Sequence, residues 1–261
     1  MKKHLLDVIF ASDKRKSVLL ILKSGPLEME LLLSQLRTTR QSLLPQMKIL
    51  EENHLITHFA DSYKLTIIGK LIVDEMVPLL DTIDIFEDEI DYWGTHNLDF
   101  ISPRLLKRIG EIDNCKIIRP QISSIYELNQ EIINSSYTSR SLFIITTFFH
   151  PHYPSLFSEL IKNKVNVYAI VSKEVFDRVK NNYYSDLEKI VKSNLFHIYI
   201  YPHEMALQSF TYNDYYIVMR MLKTNGETDS SYLLCSNSNT LEWSGELFEY
   251  YLKRSNPITE I

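Results

Sequence analysis

Two groups of residues carry side chains that could do chemistry. The first is His150-Pro151-His152, Ser172-Lys173, Tyr201-Pro202-His203 and Ser236-Asn237-Ser238-Asn239. Its imidazoles, hydroxyls, amides and one cation could hold a small polar or anionic molecule. His150, His152, Lys173, Tyr201, His203, Ser236, Asn237 and Asn239 are therefore the candidate ligand-binding residues. Imidazoles at close spacing also suit zinc or nickel, but no ligand-spaced carboxylate or cysteine accompanies them, so no metal and no other cofactor is expected. The second group runs from Arg37 through Thr38, Thr39, Arg40, Gln41 and Ser42 to Gln46 and Lys48. Such a succession of cations, hydroxyls and amides can bond phosphates and base edges.

Enzymatic signatures are missing. The six glycines, Gly25, Gly69, Gly94, Gly110, Gly226 and Gly245, are never closer than 16 residues apart, which excludes dinucleotide and Walker phosphate loops. There is no GxSxG nucleophile elbow. No catalytic residue is assigned, and the chain is not expected to be an enzyme.

The second group needs a scaffold that presents it. Ser12 can cap a helix over Asp13–Lys23 that stops at Gly25-Pro26, and a second helix is expected over Glu28–Leu36. After the turn Arg37-Thr38-Thr39, a third helix puts Leu43, Met47 and Leu50 on one face and Gln41, Pro45, Lys48 and Glu52 on another. Pro45 is harmless if Gln41 or Ser42 is the cap; otherwise it kinks the helix. Ile56–Ala60 and Tyr63–Thr66 read as a hairpin turning at Asp61-Ser62, and Thr66 can cap the next helix. Three helices and a two-stranded wing make a winged helix-turn-helix, whose third helix offers its polar N-terminal end to a major groove. Arg40, Gln41, Ser42 and Gln46 are the candidates for direct base readout. Arg37, Thr38, Thr39, Lys48, Lys14 and Arg15 are candidates for phosphates, and His58, Ser62 and Lys64 for contact through the wing.

Charge follows the same division. Residues 1–70 carry +4, residues 71–95 carry −8 with no Lys or Arg, and the remainder carries −1. A basic head is thus followed by an acidic segment and a near-neutral body, which places a boundary in function near residue 95. From Ile67 to Tyr92 the pattern is helical, interrupted at Pro78, with more apolar surface than a lone helix could hide. A homodimer is expected there, which would space two recognition helices for a palindromic site.

Beyond Arg119 the pattern alternates. Strands are expected at Leu142–Phe149, Val165–Val171, Phe196–Tyr201, Tyr215–Met221 and Tyr232–Cys235, and helices near Ser123–Ser135, Tyr153–Lys162, Lys173–Val191 and Leu241–Lys253. Ligands favour the carboxyl ends of such strands, where the first group of residues falls. The fold class is thus α+β and α/β: a winged helix-turn-helix DNA-binding domain (1–66), a helical connector and dimerisation segment (67–120), and an α/β layered ligand-sensing domain (121–261). At 261 residues the chain can bury such cores without staples. Cys115 and Cys235 read as ordinary reduced thiols. No apolar run approaches the roughly 20 residues of a membrane span, and Asp7 interrupts the N-terminal one, so a cytoplasmic protein without a membrane partner is expected.

The winged-helix residues, with "YKLTIIGKLIVDEMVPLL" (Tyr63–Leu80) and "WGTHNLDFISPRLLKRIGEI" (Trp93–Ile112), resemble the archaeal winged-helix transcriptional regulators of the filamentation-regulator or methanogenesis-regulator type, found largely in methanogens. "TLEWSGELFEYYLKR" (Thr240–Arg254) is similar to the end of that family's second domain. The resemblance spans nearly the whole chain and implies architecture and a role in transcription, not a ligand or an operator. Asn97 departs from it, standing where an Asp is expected after His96. The alternation and the "SNSN" turn also resemble a phospholipase-D-type domain, which some archaeal sugar-responsive regulators use for sensing. Since no His is followed two residues later by Lys, a domain of that type would be non-catalytic. The leading expectation is a dimeric, sequence-specific regulator that responds to an unknown small-molecule effector. A protein-interaction winged helix with a structural C-terminal domain, and a hydrolase built on the histidines, stand as alternatives.

Overall fold

Apolar residues at helical spacing, broken by short polar turns, build the first part of the chain. In the computed structural model, which describes residues 4–125 and 127–259, α1 (Leu5–Phe10) and α2 (Asp13–Leu22) are followed by β1 (Leu27–Glu28), α3 (Met29–Gln35) and α4 (Arg40–Glu52). A wing of β2 (Ile56–Phe59) and β3 (Ser62–Leu65) leads into α5 (Ile67–Glu87). Val18, Leu19, Leu22, Met29, Leu32, Leu43, Met47 and Leu50 close one core. The wing has three strands, in the order β1-β3-β2, because the two residues of β1 pair with Tyr63 and Ser62. So short a strand carries no periodicity, and the sequence did not reveal it.

Both helix-interior prolines are accommodated. Thr39, not Gln41 or Ser42, is the N-cap of α4, so Pro45 lies in the second turn and the helix forgoes the bond to the Gln41 carbonyl while continuing to Glu52. The expected interruption at Pro78 is also absent: α5 runs unbroken through it. Thr66 accepts from the Gly69 N–H (3.0 Å), as a cap should. Gly69 is required by contact, since a Cβ there would lie 1.9 Å from the Leu55 carbonyl oxygen.

The chain divides into two units, Met1–Asp81 and Thr82–Ile261. The second contains α6 (Ile90–Thr95), α7 (Pro103–Leu106), β4 (Cys115–Ile118), α8 (Gln130–Ser136), β5 (Ser141–Thr146), α9 (Tyr153–Lys162), β6 (Asn166–Ser172), α10 (Lys173–Asn182), α11 (Tyr184–Val191), β7 (Phe196–Tyr201), β8 (Leu207–Tyr212), β9 (Ile217–Met221), β10 (Tyr232–Cys235), α12 (Ser238–Leu252) and β11 (Asn256–Ile258). The helix expected over Lys173–Val191 is two helices, meeting at Tyr183. The one expected near Ser123–Ser135 is a single 3-10 turn and α8; Tyr126 lies outside the described residues.

Among the described residues the strands form one eight-stranded sheet, β11-β7-β6-β5-β8-β9-β10-β4. Only the β5–β6 and β6–β7 pairs are parallel; every other pairing in the sheet is antiparallel. Helix α12 covers one face, anchored by the fully buried Trp243, whose indole donates to the Leu105 carbonyl (3.2 Å). Helices α9, α10 and α11 pack on the other face over Leu142, Ile144, Val167, Ala169 and Ile198. Strand β4, unrecognised in the sequence, corrects the reading of the cysteines. It pairs with β10 so that Cys115 stands opposite Cys235, with a Cα–Cα distance of 4.2 Å, and the two form a disulfide.

Candidate nucleic-acid interface and C-terminal cavity

Helix α4 is held from behind. Leu43, Met47 and Leu50 are buried, while Thr39, Arg40, Gln41, Leu44, Pro45 and Lys48 are exposed. The turn before it depends on Arg37 at φ 46°, which lets the Thr38 N–H close on the Leu33 carbonyl (3.1 Å) and fixes the angle between α3 and α4.

Not every candidate in this unit faces outward. Arg15 is buried, at 7% exposure, and its guanidinium donates to the carbonyls of Val8 and Asp7 (3.3 Å to the latter) and to Gln46 Oε1 (2.6 Å). It ties α1, α2 and α4 together and is not placed for phosphate. Gln46 correspondingly turns its amide oxygen inward, away from base readout. Lys14 donates to Ser42 Oγ, joining α2 to α4. Arg40 is exposed but bridges Glu30 on α3 (3.3 Å) and Asp61 in the wing turn (3.1 Å). Lys48 lies 3.9 Å from Glu52. In the wing, His58 stacks on Tyr63 (5.2 Å between centroids) and meets Glu51 through Nδ1. Ser62 pairs across to Phe59 and Glu28, and Lys64 is exposed. Thr38 is half-buried, and Arg37 is exposed.

The strand-end residues of the second unit do not converge. Because β10 runs antiparallel to β5, its carboxyl end, with Ser236, Asn237 and Asn239, lies at the sheet edge opposite the ends of β5, β6 and β7. Asn237 caps α12, accepting from the Asn239 N–H (2.9 Å), and Ser236 accepts from Asn114 (3.4 Å). Tyr201 is buried in the α12-side core, beside Tyr251. His203 is exposed with its ring against Tyr201, and Lys173 is exposed at the start of α10. His150 and His152 are neighbours, 5.2 Å between ring centroids. Of the strand-end candidates His150 alone lines a cavity on the sheet face, and His152 lines a more open cleft that shares residues with it. Among the described residues no group of three or more His, Cys, Asp or Glu is placed to hold a metal ion.

That cavity, of about 300 Å³, lies on the face of the sheet rather than at its edge. Side-chain alternation makes it: Ile144, Thr211 and Val218 are in register across β5, β8 and β9, as are Ser209 and Arg220, and the small hydroxyl residues of β8 leave room where β5 carries Ile. Ile132, Ile133 and Ser136 of α8 and Tyr153 and Leu156 of α9 close it. A bulge between Leu207 and Ser209 displaces Gln208, which also lines the cavity and whose Oε1 is buried with no hydrogen-bond partner. Burial pushes the Tyr153 phenol up to about 12 and holds the Arg220 guanidinium below its ordinary range. Sequence reasoning missed Arg220, though a lone cation in Ile217-Val218-Met219-Arg220-Met221 was the available signal. It also missed the buried His96, whose Nδ1 meets the Tyr92 carbonyl (2.6 Å) and whose Nε2 meets Asp229 (3.2 Å). Asn97 accepts from the Asp99 backbone N–H (2.6 Å), a local turn contact.

A winged helix-turn-helix carried on the same chain as an α/β unit with its own internal cavity defines the class: a transcriptional regulator with a separate C-terminal domain. The sequence profile of the methanogenesis regulatory protein FilR1, N-terminal domain, matches residues 3–84, and that of the FilR1 middle domain matches residues 125–254. The chain belongs to the FilR1 family of regulators. It is 21% identical over 259 residues to the methanogenesis regulatory protein FilR1 of Methanothrix harundinacea (strain 6Ac), an alignment covering 97% of this chain and 58% of the relative. The chain thus spans little more than half the length of that relative. Among solved structures, TrmBL2, described as an archaeal chromatin protein, aligns over 97% of both chains with a TM-score of 0.45 and 11% identity. The riboflavin-analogue dimethyltransferase RosA from Streptomyces davawensis aligns over 74% of this chain and 62% of its own, with a TM-score of 0.25 and 13% identity. Neither likeness is close enough to inform the fold or the chemistry. Among the described residues, no helix is long and apolar enough to cross a membrane.

Proposed function

We infer that the chain is a sequence-specific DNA-binding regulator that acts as a homodimer and whose C-terminal domain senses a small polar or anionic effector. One observation carries the DNA-binding part. Leu43, Met47 and Leu50 fix α4 at 1% exposure or less, while Thr39, Arg40 and Gln41 at its N-terminal end stand exposed in the position a major groove accepts. In the same reading residues 1–66 bind double-stranded DNA, 67–120 connect and dimerise, and 121–261 sense. No enzymatic role is proposed.

Binding to the DNA upstream of its own gene tests this, measured by fluorescence anisotropy across a salt series. A steep fall of log K with log salt, together with preference over a scrambled duplex, is expected. No measurable binding at low salt overturns the reading. It would favour a protein-interaction winged helix, for which the exposed Leu44 (49%) and Phe59 (87%) speak.

A further inference from the structure

We propose that the cavity between β5, β8, β9, α8 and α9 binds a small organic carboxylate with a short apolar body and a hydroxyl or N–H next to the acid group. The proposal rests on the effector-sensing reading above and gives that reading a site and a ligand class.

Three features select the chemistry. Arg220 lines the cavity from β9. One of its N–H groups donates to the Ser230 carbonyl (3.2 Å) and its plane lies over the Tyr232 ring (4.1 Å), but no carboxylate among the described residues pairs with it. A desolvated guanidinium is costly without a counter-charge, and its planar fork matches a carboxylate in two parallel bonds. Asp229, which also lines the cavity, does not supply that charge. It is engaged by the His96 ring (3.2 Å) and the Ser231 N–H (3.1 Å).

The second feature is Gln208. It lines the cavity at the bulge in β8, and its Oε1 is buried without a donor, so an O–H or N–H of the occupant that reached it would satisfy it. The third is the apolar part of the wall, Ile132, Leu142, Ile144, Leu156 and Val218, which suits an alkyl body; Glu127, Asn129, Ser136 and Thr211 add polar groups to the rest of it. At about 300 Å³ the space is at the small end of ligand pockets, which suits a small molecule. A single arginine matches a monoanion better than a dianionic phosphate.

Isothermal titration of the full chain decides it, with unbranched acids from butanoate to octanoate, their 2-hydroxy counterparts, and the corresponding primary amides as probes. The acids should bind at least tenfold more tightly than the amides, and the 2-hydroxy acids more tightly than the plain ones. Gln208→Leu should remove the preference for the hydroxyl and keep the preference for the acid. Arg220→Gln should remove the acid preference. If that variant fails to fold, Arg220→Lys keeps the charge without the fork and should weaken the acids about tenfold. Equal binding of acid and amide, an acid preference that survives Arg220→Gln, or no binding of any acid would overturn the proposal. Anisotropy with the upstream duplex, with and without the tightest acid, separates the two readings. An acid that binds without changing DNA affinity leaves the ligand class standing and removes the sensing role, whereas DNA binding with no acid bound removes the ligand class alone.

Discussion

The guanidinium of Arg40, in the first turn of α4, lies 3.1 Å from Oδ1 of Asp61 in the turn of the wing. With Glu30 3.3 Å away on α3, it is held between two acids at the edge that would approach a duplex. DNA must compete with those acids. Asp61→Asn should therefore tighten non-specific duplex binding while changing thermal stability little, since exposed pairs are worth about 0–1 kcal/mol. Arg40→Ala should weaken binding by about 1–3 kcal/mol and relax one base preference. An equal loss on every sequence would assign Arg40 to a phosphate instead.

Arg15 should behave in the opposite way. Removing it takes the guanidinium from the Val8 carbonyl and the Gln46 amide oxygen inside the winged-helix unit, while the Asp7 carbonyl keeps the Ala11 N–H. Arg15→Ala should cost roughly 2–3 kcal/mol in denaturant unfolding and leave the salt dependence of DNA binding unchanged. A salt slope lower by about one would place its charge on the phosphate backbone.

Gly69→Ala tests the seating of α5. The added methyl would meet the Leu55 carbonyl oxygen, a backbone atom, at 1.9 Å, so relief requires moving the helix or that turn. A loss of about 3 kcal/mol is expected, seen as a lowered first transition on calorimetry. A variant as stable as the wild type would mean that α5 sits elsewhere in solution.

Dimerisation should map to α5. Ile68, Leu71 and Leu79 fall on one side of that helix at 52%, 65% and 52% exposure, beside the buried Val73 and Met76. Leu71→Glu combined with Leu79→Glu should yield a monomer by sedimentation and weaken binding to a palindromic duplex more than to a single half-site. A dimer that survives both changes would move the interface to another surface.

The Asp229–His96 pair predicts a pH dependence. Burial opposes the charge of Asp229, but the Ser231 N–H and the His96 ring overcome it and hold the carboxyl below the ordinary aspartate range. A carboxyl lowered by folding stabilises the fold above its unfolded value, near ~3.9, and that contribution is lost as pH falls through the lower folded value. The gap in melting temperature between wild type and Asp229→Asn should be full at neutral pH and shrink once the solution is more acidic than the unfolded value. A gap that does not change with pH would point to packing rather than charge.

The winged helix was legible because its signals are local. Leu43, Met47 and Leu50 repeat within one helix, Thr66 caps the next, and Asp61-Ser62 marks the turn between strands. The cavity was not, because nothing local encodes it. Its polar end depends on β8 returning antiparallel beside β5 and on one extra residue at Gln208, and neither the partner of a strand nor a bulge in it is written in Leu207–Tyr212 itself. Grouping the strand-end residues around one site assumed a parallel sheet, whereas β10 reverses and carries Ser236–Asn239 to the other end. Buried partners at long separation were equally silent: His96 meets Asp229, and Arg15 meets Gln46, through tertiary packing alone.

The disulfide between Cys115 and Cys235 joins positions 120 residues apart, and every residue lining the cavity lies between them. That portion of the chain is a closed covalent hoop. A peptide bond severed anywhere within it would leave both pieces attached through sulfur, so the cavity can outlast a nick that would sever an open chain, until a reductant unfastens the clasp.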